Sequence, residues 1–94
     1  MPTNADLGQA IRRLRWDRDL SIETLAHAAD MHPTFLGRIE RGRASPTWGK
    51  LCGLAVALGV SMSALVQTAE DEAEVARAVR TARARLEAER EDRS

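Results

Sequence analysis

Ninety-four residues and 10.3 kDa leave room for one small domain and perhaps an appendage, which excludes a multidomain enzyme. Apolar residues make up 44% and charged residues 30%, enough to close a core; aromatics supply only 3% and β-branched runs are missing, so helices are favoured over sheet. Fourteen basic residues balance fourteen acidic ones, so whole-chain charge signals no polyanionic partner, but residues 1–67 hold eight basic and six acidic residues while 68–94 hold six and eight.

Asn4 can cap a first helix whose apolar positions Leu7, Ala10, Ile11 and Leu14 follow helical spacing, ending near residues 17–19. Ser21 can cap a second helix over 22–29, with Glu23 in its first turn and Leu25, Ala26 and Ala29 facing inward. After a short turn, Pro33 reads as the first residue of a third helix that runs to Arg41 and stops at Gly42. Ser45-Pro46 repeats the cap-and-proline signal before a fourth helix with Leu51, Leu54, Ala55 and Leu58 inside, and Gly59 ends it. Ser61 caps a short fifth helix, 62–67. These five helices predict a compact all-α domain over 1–67. Trp48 is expected in the core and Trp16 on the surface.

From Glu70 the composition turns to Ala, Arg and Glu, with Glu74/Arg77, Glu87/Arg90 and Glu89/Arg93 at helical pairing distance, which predicts a sixth, largely solvated helix within 68–94. Val75, Val79, Ala82 and Leu86 lie at spacings of 4, 3 and 4, a seam that fits a two-stranded coiled coil and equally a packed or fraying tail.

The lone Cys52 excludes an internal disulfide framework and falls among the core positions of the fourth helix. The N-terminus lacks the basic start and apolar stretch of a secretory signal, and the run 51–60 is too short to span a bilayer, so a cytoplasmic protein with no membrane partner is expected. His27, Asp30, His32 and Cys52 lack metal-ligand spacing, and no nucleophile elbow or phosphate-binding glycine loop is present. No metal, no cofactor and no catalysis are expected.

The second and third helices, joined by a three-residue turn, form a helix-turn-helix candidate, a shape too common to be diagnostic alone. Around it stand Leu20-Ser21-x-x-x-Leu25-Ala26, then Phe35-Leu36-x-x-Ile39-Glu40-Arg41-Gly42, then Pro46, then Leu54-Ala55-x-x-Leu58-Gly59-Val60-Ser61. This string resembles the Cro/C1-type helix-turn-helix family, or XRE family, of phage repressors and small bacterial regulators, over about residues 7–66. The resemblance implies a lambda-repressor-like five-helix fold followed by a C-terminal helix. It also implies an ion pair between Arg15 and Glu40, joining helices one and three. Ile22 stands where the family has a phosphate-binding Gln, Asp30 where it has a turn glycine, and His32 where it has a Ser cap. Asp tolerates positive φ, and an imidazole can cap.

With the N-terminal half of the third helix in a major groove, the side opposite Leu36 and Ile39 meets base edges: His32, Pro33, Thr34, Gly37 and Arg38. Arg38 is the strongest of these, because bidentate arginine to guanine is the commonest specific contact, and Gly37 suits a close approach of backbone to DNA. Arg41 and Arg43 beside the glycine turn, with Lys50 and Ser21, are the phosphate contacts, whereas Arg12, Arg13 and Arg18 read as a solvated face. The expected function is a sequence-specific regulator that binds double-stranded DNA as a homodimer on a palindromic operator. Met62, Leu65 and Val66 of the fifth helix, or Val75, Val79, Ala82 and Leu86 of the tail, are the dimerisation candidates. The rival reading is a protein-interaction module, antitoxin-like, that binds a protein partner through its C-terminal helix.

Overall fold

The first helix begins on a reciprocal cap. In the computed structural model, which describes residues 1–93, α1 (Asn4–Asp17) is capped by Thr3, whose hydroxyl accepts the Asp6 N–H at 3.2 Å while the Asp6 carboxylate accepts the Thr3 N–H at 2.8 Å. Asn4, the expected cap, has Leu7 three residues on, which has nothing to return to the cap's own amide, and so becomes the first helical residue instead. Helices α2 (Ile22–Ala28), α3 (Pro33–Glu40), α4 (Trp48–Leu58) and α5 (Met62–Arg93) follow. Ser21 and Ser61 cap α2 and α5 as the sequence predicts. For α4 the cap is Thr47, not Ser45, because its hydroxyl reaches the Lys50 N–H at 3.3 Å and Pro46 stays outside the helix. Trp48, now the first residue of α4, is 71% exposed rather than in the core.

One device ends the first four helices. In each, the chain reverses through a left-handed residue: Asp19 (φ 52°), Asp30 (φ 55°), Gly42 (φ 72°) and Gly59 (φ 71°). The next N–H then closes on a carbonyl five residues back: Leu20 on Arg15, Met31 on Ala26, Arg43 on Arg38, Val60 on Ala55, at 2.9–3.1 Å. Two of the four use aspartate where glycine is the unstrained choice.

Ile11, Leu25, Leu36, Ile39, Leu54 and Leu58 fill the core together with Ala10 and Ala26, the small residues at close helix crossings. Leu65 completes it. Being fully buried in its own chain, Leu65 is withdrawn as a dimerisation candidate; Met62 packs half-buried beside it, and Val66 stays exposed. Cys52 is half-buried, at the edge of the core rather than inside it.

The expected fifth and sixth helices are one. No glycine or proline interrupts residues 62–93, and the change of composition near residue 70 marks a change of surroundings, not a break. Ala69 is buried against α1, the Thr68 hydroxyl bonds back to the Ala64 carbonyl at 2.9 Å, and Glu72 pairs with Arg13. From residue 77 to 93 every position is exposed, so the packed part ends near Ala76, and the projecting helix stretches the molecule to 54 × 25 × 24 Å. Ser94, the last residue of the expected tail, lies outside the described residues. Among the described residues, no single helix is long and apolar enough to cross a membrane.

Candidate nucleic-acid interface

What aims α3 is the charge beneath it. Glu40, 2% exposed, receives Arg15 in a two-pronged contact, Nε to Oε2 at 2.8 Å and Nη2 to Oε1 at 2.9 Å. Arg15, 8% exposed, spends its remaining Nη1 on the Leu20 carbonyl at 3.0 Å, so the guanidinium ties α1 to α3 and to the start of the α2 cap. The hydrogen bond to Glu40 holds the Arg15 guanidinium above its ordinary value, outweighing the opposing effect of burial. Arg12 adds a third contact, Nε to Oε1 at 3.3 Å, and lies over the Trp16 ring at 5.6 Å. The expected pair is thus a three-residue cluster. Arg13 of α1 and Arg18, its C-cap, are exposed as expected, but each is engaged. Arg13 holds Glu72, and Arg18 donates to the Leu58 carbonyl at the end of α4 and to the Leu14 carbonyl.

With Leu36, Ile39 and Glu40 turned inward, α3 and its C-cap Arg41 present Thr34, Arg38 and Arg41 outward, residues four and three apart on one face. His32 caps the helix through Nδ1, which accepts the Thr34 N–H at 3.1 Å, and its ring is exposed at the tip; Pro33 is the half-buried first residue. Gly37 differs from expectation. It is covered by the folded-back side chain of Arg41, whose Nη1 would lie 3.1 Å from a Cβ at that position. The glycine seats an arginine on the helix surface, and bare backbone is not what it shows to an incoming ligand.

Past Gly42 the loop is fixed against α1, since a Cβ on Gly42 would lie 2.8 Å from the Ala5 Cα. Arg43 stands exposed on that loop. Lys50 Nζ donates to the Asp30 carbonyl at 2.8 Å, closing the end of α2 and bringing an ammonium beside the tip of α3. Ser21 is exposed, but its hydroxyl accepts the Thr24 N–H and donates to Thr24 Oγ1 at 2.9 Å, so it serves α2 first. Residues 31–50 therefore carry Arg38, Arg41, Arg43 and Lys50 outside and a single carboxylate, Glu40, inside. A chain of zero net charge gains a basic face by burying one acid. Sequence reasoning missed the seat of Arg41 and the role of Arg12; only the helix-interior glycine hinted at the first. Among the described residues, no group of three or more His, Cys, Asp or Glu side chains is placed to hold a metal ion.

An immunity repressor protein of Bacillus phage phi105 is 38% identical over 60 residues, 64% of this chain, and the chain spans only 42% of that repressor's length. The restriction-modification controller protein C.AhdI from Aeromonas hydrophila superposes with a TM-score of 0.65 at 32% identity, over 66% of this chain and 94% of that one. The clp gene regulator ClgR from Corynebacterium glutamicum reaches 0.78 at 30% identity, over 86% and 87%. Residues 6–69 match the family model described as a helix-turn-helix domain, and the chain belongs to that family in its Cro/C1-type, or XRE, form.

Proposed function

We propose that the chain is a sequence-specific regulator of transcription that binds double-stranded DNA as a homodimer in the cytoplasm, without catalysis. The observation that carries this reading is the outer face of α3, Thr34-Arg38-Arg41, flanked by Arg43 and Lys50 while Glu40 is buried beneath it. Relatives named as a repressor, a controller and a gene regulator support it. In this reading His32, Pro33, Thr34 and Arg38 face base edges, with Gly37 acting through the arginine it seats. Ser21, Arg41, Arg43 and Lys50 approach phosphates. The packed domain alone offers little groove surface, and two copies on half-sites about 34–36 Å apart would supply what tight binding needs.

A mobility shift on DNA upstream of the gene, against a scrambled duplex, tests the activity, and selection of bound sites from random DNA names the operator. On the selected site Arg38→Ala is expected to weaken binding by about 1–3 kcal/mol and to relax preference at one base pair. Arg43→Ala is expected to weaken all sequences alike and to lower the salt slope by about one. If Arg43 sets the base preference and Arg38 is neutral, the docking is wrong. If neither duplex shifts, the DNA reading itself fails.

A further inference from the structure

The projecting half of α5 and a groove at its own root are complementary, and one chain cannot bring them together. Ala5, Asp6 and Gln9 of α1 and Glu72, Val75, Ala76, Val79 and Arg80 of α5 line a groove with an apolar floor; Glu72 at its edge is held by Arg13, and Asp71, one residue earlier, is exposed. Val75 is 56% exposed and Val79 45%. Further along the same helix, Ala82 and Leu86, the latter 59% exposed, continue the seam among Arg80, Arg83 and Arg85. Because α5 is unbroken, residue 82 lies about 15 Å beyond residue 72 along the helix axis and cannot fold back onto it. The seventeen exposed residues 77–93 are also near the length at which an isolated helix is marginal in water.

The geometry points to a second copy of this chain as the occupant, with the two α5 helices antiparallel about a two-fold axis near residue 77. Charge sets the direction. Residues 70–74 carry Glu70, Asp71, Glu72 and Glu74; residues 77–85 carry Arg77, Arg80, Arg83 and Arg85; acidic residues return at Glu87, Glu89, Glu91 and Asp92. A parallel, in-register pair lays four arginines on four arginines. An antiparallel pair centred near residue 77 lays each acidic block on the other copy's arginine block, sets Val75 against Val79 of the second copy, and brings Asp71 within reach of its Arg85. Each copy offers the same groove and the same key, so the contact closes on itself as a two-fold interface.

This inference rests on the homodimeric reading above and adds its direction and contacts. It is tested without DNA on the full chain carrying Cys52→Ala, with single spin labels on Ala78→Cys or on Arg90→Cys. Pulsed dipolar spectroscopy is expected to place the labels close together at position 78, which flanks the seam beside the axis, and about 40 Å apart at position 90, from about 1.5 Å of rise per residue on either side of the axis. Asp71→Arg should weaken the dimer about tenfold or more, and the double change Asp71→Arg/Arg85→Asp should restore it. Short distances at both positions would mean a parallel pair and overturn the inference. So would a monomer by light scattering, or a dimer indifferent to Asp71→Arg while circular dichroism shows the variant folded. None of these results decides whether DNA is bound, which the mobility shift reads separately.

Discussion

Gly8→Ala is expected to lower the melting temperature more than any other single-methyl change in the chain. A Cβ at Gly8 would stand 2.3 Å from the Ile39 carbonyl oxygen and 2.6 Å from that of Glu40. Both are backbone atoms of α3, with no side chain to swing away, so α1 and α3 must separate where Leu36, Ile39 and Ile11 meet. Helix propensity alone favours alanine here by about 1 kcal/mol. The clash opposes it, and the expected net loss is about 3 kcal/mol, at the upper end of overpacking effects. At about 4–8 °C per kcal/mol this is a fall of about 12–24 °C, read by circular dichroism. A melting temperature at or above that of the parent would show that the two helices have slack, and would remove the close crossing as a determinant of the fold.

Breaking the buried cluster should do comparable damage, and unequally by residue. Glu40→Ala leaves Arg15 enclosed without its carboxylate, with only the Leu20 carbonyl as partner and Arg12 close by. Arg15→Ala leaves Glu40 with Arg12 still 3.3 Å away, able to swing in. A loss of about 3–5 kcal/mol is expected for Glu40→Ala and a smaller one for Arg15→Ala, with the double variant losing less than the sum. Base preference in the selected operator should not change, because neither group faces outward. Equal and additive losses would mean that the three side chains do not act as a unit. The pH dependence has a definite sign. A guanidinium held above its ordinary value contributes stability that is fully present below that value and is lost only as pH rises through the raised one. Melts from pH 7 to about 10 should therefore show no loss traceable to Arg15.

Local pattern carried the helices and failed where distant segments meet. Leu25, Leu36, Ile39, Leu54 and Leu58 are visible in sequence because each recurs at helical spacing, and all are buried. Asp30 could be read as a left-handed turn because it stands where the family has a turn glycine and its side chain tolerates that backbone. The same logic misplaced two caps by one and two residues, since Thr3 outcompetes Asn4 only through what Asp6 returns. The joining of the last two expected helices was hidden because an Ala-, Arg- and Glu-rich stretch reads as a new element when nothing shows that Ala69 and Glu72 rest on α1. Gly8 and Gly37 gave one signal, a glycine inside a helix. For Gly37 the sequence suggested contact with DNA; the structure supplies an intramolecular reason for each, a crossing helix in one case and an arginine in the other. Periodicity reports which face of a helix is inside, not which neighbour touches it.

The placement of the two tryptophans decides how this protein can be watched. There is no tyrosine, Trp16 sits on the surface beneath the Arg12 guanidinium, and Trp48 projects from the start of α4. Indole emission shifts when the ring moves between apolar surroundings and water, and here both rings already meet water in the folded state. Unfolding should therefore change the emission maximum little, making intrinsic fluorescence a poor thermometer of stability. Trp48 opens α4 two residues before Lys50, at the same end of that helix. A polyanion that settled at that end of α4 would change the ring's surroundings, so the light this chain gives off suits a binding titration better than a melt.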